Sequence, residues 1–569
     1  MSQTMRSRVY VFFAASLVML LSAGSLQAQS VRRDSADFKL GRSIEILANM
    51  MREFDQNFVS SLDADEMLQA AAEGISLLTD PYSYYLSEED MVDFRVHSTG
   101  KYGGVGSAIR QQGDYVIFSQ PYKGSPADEA GIKPGDKILA INGQSMKGAD
   151  ADIISSNLKG DPETDVEVTI ERFYSSETET ITIRRRRISI PSVSYSAILR
   201  DGVAYISHDE FIEGSYDEMR RAVERLSAEA EAEGGLKGLV LDYRANGGGL
   251  MREAIDIISL FVDRDERILS VMGRDSSSLR HYTTQHAPVL RDVPIVVLVN
   301  GGSASASEIL AGSLQDLDRA VVMGQRSYGK GLVQTTTYLG YGAYLKYTIE
   351  KYYIPSGRCI QSRLFSERNS DGSVASVPDS LIREFATRNG RKVYDGGGIV
   401  PDVKLEPQYI SRFARALYNQ GYVFDWVDKY MLEHHTETID PLTFELSDEA
   451  YADFVDFMGD KELEYESQSR RALKALEQAL EDEHYDEAMR DDIKRVGELL
   501  KDDKISNMQT YRKEIEELLM FNIVTRYHYD EGAIAWRSHR DPEVERAVEL
   551  ILDQEEYRRI LAEQDLSMH

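Results

Sequence analysis

Apolar and polar positions are spaced in two different ways along the chain, and this divides the sequence into regions. Residues 35–98 carry apolar side chains at helical spacing, in two successive segments. Residues 99–186 contain short stretches of alternating apolar positions separated by turn residues, which predicts a small β-rich unit. In residues 188–405 strand-like runs alternate with helical segments, a pattern typical of an α/β core, and residues 407–569 return to helical spacing.

Residues 1–28 predict a signal peptide rather than part of the folded protein. Arg6 and Arg8 precede an apolar run over residues 9–21, and small residues lead to a cleavage site after Ala28. The run is short for a membrane span, so an uncleaved anchor is the less favoured interpretation. We therefore expect an exported, periplasmic protein, which would be membrane-associated only if the signal were retained.

The charge of the chain narrows the classes of partner that it can have. Its 569 residues include 95 acidic and 65 basic side chains, for a net charge of −30. Such a chain does not favour nucleic acid or an anionic membrane surface as a partner, because both need basic patches. Residues 406–569 hold 40 acidic and 20 basic residues, so most of the excess negative charge lies in the C-terminal region.

One stretch combines a strand, a sharp turn and a helix, with several serines at the turn. The apolar run 294–299 stops at an Asn-Gly-Gly turn, and helical spacing follows over residues 303–317. Serines 303, 305 and 307 fall in or just before the first helical turn, where free backbone N–H groups favour an anion. Further along, Lys330 stands between two glycines, which lets the backbone bend closely around a partner.

These residues allow two interpretations. Ser305 could act as a nucleophile if Lys330 removed its proton, which a lysine does near neutral pH only when burial lowers its pKa. Alternatively, Ser305 and Glu308 have the spacing of a helix capping box, and a lysine flanked by glycines is commonly part of a surface loop. On these residues alone, the capping box is the favoured interpretation.

Three phrases in this region nevertheless resemble one enzyme family. They are SASASE at residues 303–308, AGSLQDLDRAVVMG at 311–324 and GKGLVQ at 329–334. Together they resemble the core of the C-terminal processing, or tail-specific, serine peptidases, which use a Ser–Lys dyad. The resemblance implies that Ser305 is the nucleophile and Lys330 the general base. It also implies that Gln334, one helical turn beyond the lysine, orients that base.

Another phrase of this family, D-x-R-x-N-x-G-G, occurs at residues 242–249. In the family its backbone helps to form the oxyanion hole, which implies that the N–H of Gly247 or Gly248 acts together with that of Ala306. A phosphate-binding loop is not indicated, because neither GxGxxG nor GKS/T is present. Three side chains could either support the site or form a structural ion-pair cluster: Asp242, Arg244 and Glu308.

A further resemblance concerns the β-rich unit. Its phrase GSPADEAGIKPGDKILAING, at residues 124–143, closely resembles part of a PDZ domain. The resemblance implies a groove that takes up a peptide C-terminus as an added strand, while backbone N–H groups of a glycine-rich loop hold the carboxylate. The candidate loop consists of four residues: Gly103, Gly104, Val105 and Gly106.

Other enzyme classes find little support in the sequence. It has neither an HExxH phrase nor a Cys/His spacing for zinc, so no metal and no other cofactor is predicted. Ser305 has no Gly-x-Ser-x-Gly frame, which disfavours a Ser–His–Asp hydrolase. The single cysteine, Cys359, cannot form an intramolecular disulfide, and we expect a buried structural thiol.

We therefore predict an exported serine endopeptidase. The fold class is an α/β peptidase core (188–405, a mixed sheet with helices) with a small β-rich PDZ domain (99–186), an N-terminal helical region (35–98) and a C-terminal, mostly α-helical domain (407–569). The PDZ domain would bind an accessible C-terminus of a protein or peptide substrate and deliver it to the dyad. A PDZ scaffold or chaperone with a degenerate peptidase core is the alternative.

The sequence leaves further partners open. In the family the N-terminal helical region can take part in dimerisation, so a homodimer is one alternative and a packing collar is the other. The acidic C-terminal domain could cover the active-site cleft, form a dimer, dock a regulatory adaptor, or serve as a solvated structural bundle.

Overall fold

The computed structural model describes residues 37–175, 177–232, 234–368, 373–483, 487–500 and 504–562. The predicted signal peptide therefore lies outside the described residues. Two compact units are present. One contains the described residues before position 88 together with Thr336–Tyr347, and the other contains Glu88–Thr335 and the described residues from Thr348 onward. Within the described ranges, no helix is both long and apolar enough to cross a bilayer.

The first unit consists of two helices and a small antiparallel sheet. Its elements are helix α1 (residues 37–57), helix α2 (Ala64–Ser76) and strand β1 (Tyr84–Leu86). Strand β1 pairs antiparallel with residues 344–346. The Asp63 carboxylate caps α2 by accepting the N–H groups of Asp65 and Glu66. The helical spacing is confirmed here, yet α2 buries none of its side chains and most apolar side chains of α1 are exposed.

The second unit begins with helix α3 (Glu88–Thr99) and continues into the predicted β-rich region. Its elements are β2 (Lys101–Gly104), β3 (Ser107–Gln112), β4 (Tyr115–Pro121), α4 (Pro126–Glu129), β5 (Lys137–Ile141), β6 (Gln144–Ser145), α5 (Ala151–Leu158), β7 (Asp165–Glu171), β8 (Thr178–Arg184) and β9 (Arg186–Ser189). The sheet has the order β3-β4-β5-β7-β8, with β6 beside β5, while β2 pairs separately with β9. Strand β7 buries Val166, Val168 and Ile170, as the alternating pattern predicted.

The α/β core follows. Its first elements are β10 (Val193–Arg200), β11 (Val203–His208), α6 (Ser215–Glu231), β12 (Gly238–Asp242), α7 (Met251–Ile258), β13 (Arg267–Met272), β14 (Arg280–Thr283), β15 (Ile295–Val299), α8 (Ala306–Asp316) and β16 (Val321–Gly324). They are followed by β17 (Leu332–Gly340), β18 (Ala343–Tyr353), β19 (Arg363–Arg368), β20 (Val374–Ser376), β21 (Glu384–Ala386), β22 (Lys392–Tyr394) and β23 (Val403–Lys404).

The central sheet has the order β10-β11-β12-β15-β16-β23, with one antiparallel pair, β10 and β11, and parallel pairs elsewhere. Every residue of β12 and β15 is buried, which explains their uninterrupted apolar sequences, since parallel strands are covered on both faces. Helices α6, α7 and α8 pack against one face. Helix α8 begins three residues later than its spacing predicted, because residues 303–305 belong to the turn before it.

The C-terminal region is helical, as predicted. Its helices are α9 (Arg412–Asn419), α10 (Tyr422–His434), α11 (Asp448–Phe457), α12 (Gln468–Asp482), α13 (Glu487–Leu499), α14 (Lys504–Thr510), α15 (Arg512–Ser538), α16 (Pro542–Leu552) and α17 (Gln554–Leu561). Phe413, Trp426, Phe454 and Ile515 form part of a core shared by α9, α10, α11 and α15. Asp541 caps α16 by accepting the N–H groups of Glu543 and Val544.

Helices α16 and α17 have a different position from the other C-terminal helices. Helix α16 covers the second face of the central sheet, where it packs Val544, Val548 and Ile551 against side chains of the strands. The Tyr557 hydroxyl also donates to the carbonyl of Ile295 at 2.9 Å and accepts its N–H at the same distance. These helices therefore complete the α/β core, a role that helical spacing alone does not indicate.

Candidate active site

The candidate nucleophile lies at the sharp turn between β15 and α8. Ser305 directly precedes α8, with backbone angles of φ 56° and ψ −112°. A positive φ at a serine costs roughly 1–3 kcal/mol, so the surrounding structure must hold this conformation. Gly248 packs against the turn: a Cβ there would lie 2.8 Å from the Cβ of Ser305 and 2.9 Å from the nitrogen of Ala306. Only glycine leaves room for so close an approach.

Glu308 connects this turn with the turn that contains Lys330. Its Oε2 accepts the N–H groups of Ser305 and Lys330, each at 2.8 Å. Its Oε1 accepts the Ser327 hydroxyl at 2.5 Å and the Gly329 N–H at 2.7 Å. The carboxylate is fully buried, and these four donors occupy both of its oxygens. One side chain therefore fixes two loops against each other.

Burial dominates the electrostatics of Glu308. Loss of solvent raises the pKa of its carboxyl from 4.5 to about 7, although the four hydrogen bonds act in the opposite direction. The group therefore titrates near neutral pH. A protonated carboxyl gives up part of its capacity to accept hydrogen bonds, so these donors favour the ionised form, but burial outweighs them and the fold favours the neutral form on balance.

A tyrosine from β18 joins the same two turns. The hydroxyl of Tyr352 is directed at the carbonyl oxygens of Lys330, at 2.5 Å, and of Ser305, at 3.3 Å. Its side chain is buried. The sequence does not indicate this role for Tyr352, because no local pattern predicts contact with segments so distant in sequence.

The prediction that Gln334 lies one helical turn beyond Lys330 is wrong. The residue lies in the extended strand β17, not one helical turn beyond Lys330. The segment is extended because β17 pairs with β18. Four residues of extended chain span about 13 Å, which is more than twice the rise of one helical turn. The Gln334 amide donates to the Thr348 hydroxyl on β18 at 3.1 Å. Orientation of Lys330 by Gln334 stays a prediction.

The three candidate oxyanion-hole residues lie together, but their N–H groups differ in availability. The Gly248 N–H donates to the Asn246 side chain at 2.9 Å, so it is engaged within the protein. Gly247 is exposed, and Ala306 occupies the first position of α8, where an N–H has no partner within its helix. Among the described residues, neither of these two N–H groups has an acceptor. The pair Gly247 and Ala306 therefore fits an oxyanion better than Gly248 does.

Asn246, which sequence reasoning did not single out, organises this loop. Its amide donates to the His208 carbonyl at 2.6 Å, and its Oδ1 accepts the Ser307 hydroxyl at 2.8 Å. Its backbone carbonyl accepts the Ala304 N–H at 3.0 Å. The loop after β12 is thus tied to β11 and to the nucleophile turn. The asparagine of the D-x-R-x-N phrase was the available signal, but its partners are set by the tertiary fold.

Asp242 and Arg244 belong to an ion-pair cluster at the end of β12. The Arg244 guanidinium contacts the Asp242 carboxylate at 2.6 Å, and it contacts Asp541 and Glu543 near the start of α16 at 2.7 Å each. The Tyr205 hydroxyl also donates to Asp242 at 2.8 Å. These contacts connect the central sheet to α16. Of the three proposed supporting residues, Glu308 alone contacts the two candidate catalytic turns directly.

The four residues of the candidate PDZ loop fall into two groups, two in a strand and two after it. Gly103 and Gly104 lie in β2 and pair with Arg187 and Arg186 of β9. Val105 is buried in the core of the β-rich unit, and Gly106, with φ 80°, follows it into β3. In the described part of the chain, the N–H groups of Val105 and Gly106 have no acceptor. The second half of the loop is therefore the part that can still bind a carboxylate.

Two further expectations concern cysteine and metal. Cys359 is a free thiol that is only partly buried, and burial raises its pKa. Among the residues that the structure describes, no group of three His, Cys, Asp or Glu side chains could hold a metal ion.

Comparisons with known proteins agree with this architecture. Residues 202–367 match Peptidase family S41, residues 117–172 match a PDZ domain, and residues 413–551 match the C-terminal helical domain of probable PDZ-proteases. A probable CtpA-like serine protease of Staphylococcus aureus is 34% identical over 319 residues, which is 56% of this chain and 62% of the relative. The chain thus spans less than two thirds of that relative.

A carboxy-terminal-processing protease of Bartonella bacilliformis is 31% identical over 354 residues, which is 62% of this chain and 80% of the relative. Among solved structures, the photosystem II D1 C-terminal processing protease is similar, with 27% identity and a TM-score of 0.34 over 64% of this chain and 87% of that chain. Because the match covers most of the Bartonella protease, and the S41 and PDZ family models also match, this chain belongs to the C-terminal processing peptidase family.

Proposed function

We propose that the protein is an exported serine endopeptidase that recognises protein C-termini and hydrolyses peptide bonds with a Ser305–Lys330 dyad. The observation that carries this proposal is the shared acceptor Oε2 of Glu308. Because the N–H groups of Ser305 and Lys330 both bind it at 2.8 Å, their backbone nitrogens lie no more than twice that distance apart. Export is proposed from the sequence of residues 1–28.

In the proposed reaction, the Ser305 hydroxyl attacks the substrate carbonyl while the neutral Lys330 amine takes its proton. The tetrahedral intermediate collapses to an acyl-enzyme when the lysine returns that proton to the leaving amine. Water then hydrolyses the ester with the lysine again acting as base. The N–H groups of Gly247 and Ala306 would stabilise the negative oxygen, each contributing about 3 kcal/mol.

The proposed recognition step uses the β-rich unit. Strand β3 lies at the edge of its sheet, with β4 on one side. An extended peptide can therefore add to the other side of β3 through main-chain hydrogen bonds. Its terminal carboxylate would reach the N–H groups of Val105 and Gly106, which directly precede β3. The substrates proposed are proteins and peptides with accessible C-termini.

The decisive experiment compares the wild type with Ser305→Ala and Lys330→Ala on an unfolded protein that has an apolar C-terminus. Exposed Lys351 provides a matched control in the Lys351→Ala variant. We expect cleavage by the wild type and by the control, and none by the other two variants. Cleavage by Lys330→Ala at the wild-type rate would overturn the dyad. Binding of the substrate C-terminus without cleavage by the wild type would instead favour a PDZ scaffold.

A further inference from the structure

Helix α15 is broken at a residue that faces the β-rich unit. Tyr529 has φ 59° and ψ −165°, a conformation that a bulky side chain rarely adopts, and the helix continues on both sides of it. The next turn folds back closely: a Cβ at Gly532 would lie 2.1 Å from the Cβ of His528, so only glycine fits there. A strained conformation of this kind persists only where tertiary contacts hold it.

The contacts that hold Tyr529 come from the β-rich unit. Its hydroxyl donates to Oδ1 of Asp128 at 3.0 Å and accepts a hydrogen bond from the Lys133 ammonium group at 2.8 Å. The same ammonium group lies 5.4 Å from the centre of the tyrosine ring. The break in α15 thus directs one side chain of the C-terminal helical domain onto α4 and the turn that follows it.

Asp128 connects Tyr529 with the candidate PDZ loop at Val105 and Gly106. Its second oxygen, Oδ2, accepts the Gly124 N–H at 2.9 Å, which closes the turn before α4. The ends of this 122–128 segment bind the loop itself: the Tyr122 N–H donates to the Gly106 carbonyl at 2.9 Å, and the Ala127 N–H donates to the Val105 carbonyl at 2.8 Å. The segment therefore holds the loop through the carbonyl groups of Val105 and Gly106, while their N–H groups have no acceptor among the described residues.

We propose that Tyr529 is a positioning residue for substrate recognition: from the C-terminal helical domain it holds the 122–128 segment, and through it the loop Val105–Gly106, in the shape that binds a terminal carboxylate. The inference rests on the proposed recognition of C-termini. A loop held in its binding shape loses less conformational freedom when the peptide arrives, which increases affinity without any new contact to the peptide.

Other contacts keep the two domains together when the Tyr529 hydroxyl is removed. The Gln112 amide donates to Asp425 and Asp428, each at 3.1 Å. The Arg110 guanidinium carbon lies 3.4 Å from the centre of the Phe424 ring. All of these are independent of Tyr529. Substitution by phenylalanine therefore tests the hydroxyl and not the association of the domains.

The experiment uses the full chain with Tyr529→Phe, and with Tyr527→Phe as the matched control. The Tyr527 hydroxyl lies in the same helix but donates to the carbonyl of His434, within the C-terminal domain. The probe is a fluorescein-labelled peptide that ends in alanine with a free carboxylate, together with its C-terminally amidated counterpart. Fluorescence anisotropy gives Kd for each protein.

We expect Tyr529→Phe to raise Kd for the free-carboxylate peptide about threefold to tenfold, the range for loss of one typical intramolecular hydrogen bond. Asp128→Asn, which alters the acceptor, should change Kd in the same direction. Tyr527→Phe should leave Kd unchanged, and the amidated peptide should bind all four proteins equally weakly. In cleavage assays Tyr529→Phe should raise KM for a substrate with a free C-terminus and leave kcat unchanged.

Two results would overturn the inference alone: equal Kd for the wild type and Tyr529→Phe, or equal weakening in Tyr529→Phe and Tyr527→Phe. If the wild-type protein bound the free and amidated peptides with the same affinity, both the proposed recognition of C-termini and this inference would be overturned. Because binding is measured directly, neither conclusion depends on whether the protein cleaves peptide bonds.

Discussion

Arg244, just after β12, and Glu543, in the first turn of α16, form a 2.7 Å ion pair although they are 299 residues apart. Both side chains are largely buried, with 17% and 9% exposed. The same guanidinium also contacts Asp242 and Asp541. A single cation therefore compensates three carboxylates where the C-terminal helices meet the central sheet.

Arg244→Ala should destabilise the protein strongly. Removal of one partner from a buried ionic cluster leaves uncompensated charge and costs about 3–5 kcal/mol. We expect a lower midpoint in urea unfolding followed by intrinsic fluorescence. Arg252→Ala is the matched control, because Arg252 is 74% exposed and, among the described residues, its ion-pair partner is Asp256, four residues along α7. A control that shifted the midpoint as much as Arg244→Ala would contradict this account.

Glu308 should make stability depend on pH. Its folded-state pKa of about 7 lies above its ordinary value of 4.5, so its contribution is complete below pH 4.5 and is lost as pH rises through 7. Glu308→Gln does not titrate. The difference in unfolding free energy between wild type and Glu308→Gln should therefore fall by up to about 3 kcal/mol between pH 4.5 and pH 7.5. A difference that is constant with pH would contradict the raised pKa.

His208 should limit stability in acid. It is 1% exposed, packs edge-on against Phe211 and Tyr243, and neither ring nitrogen has a partner in the described structure. Burial lowers its pKa from 6.5 to about 3, so stability present above pH 6.5 is lost as pH falls towards 3.

His208→Leu should therefore raise unfolding free energy by about 1–2 kcal/mol at pH 7, because leucine has no polar group to desolvate. The gain should increase at pH 5. His281→Leu, an exposed histidine on β14, should produce neither change. A gain independent of pH would mean that packing, and not protonation, explains the effect.

Helix α1 should associate with a second copy of the chain. Its apolar residues Leu40, Ile44, Leu47, Met51 and Phe54 repeat at alternating steps of four and three, the spacing of a coiled-coil seam. Leu40 and Ile44 are 62% and 60% exposed. We expect a dimer by size-exclusion chromatography with light scattering and a monomer for Ile44→Glu. Ile46→Glu, at an equally exposed position outside the repeat, should remain dimeric.

The strand, turn and helix around Ser305 could be predicted because each depends on local sequence. The buried strand 295–299 is an apolar run, the turn contains two glycines, and Glu308 accepts the Ser305 N–H as a capping box predicts. The capping box is present, and it does not exclude the proposed catalytic role, because the same carboxylate also accepts the Lys330 N–H. Glu308 also binds the Lys330 turn, and no local pattern contains that contact.

Other relationships could not be predicted, because they join segments far apart in sequence. The family resemblance places Gln334 one helical turn beyond Lys330, but pairing with β18 makes its segment extended. The D-x-R motif singles out Arg244, whereas its partners Asp541 and Glu543 lie at the start of α16, whose sequence indicates an independent amphipathic helix. Charge and spacing identify such residues as unusual, but only the tertiary fold gives them partners.

The position of α16 and α17 also has a consequence for biosynthesis. The strands β11, β12 and β15 leave the ribosome long before these helices do, since Tyr557 follows its partner Ile295 by 262 residues. Until then one face of the sheet is uncovered, and residues such as Val240 and Val296 have no helix to pack against. The nascent chain thus completes its peptidase core late, and a copy that loses α16 and α17 by proteolysis loses that cover.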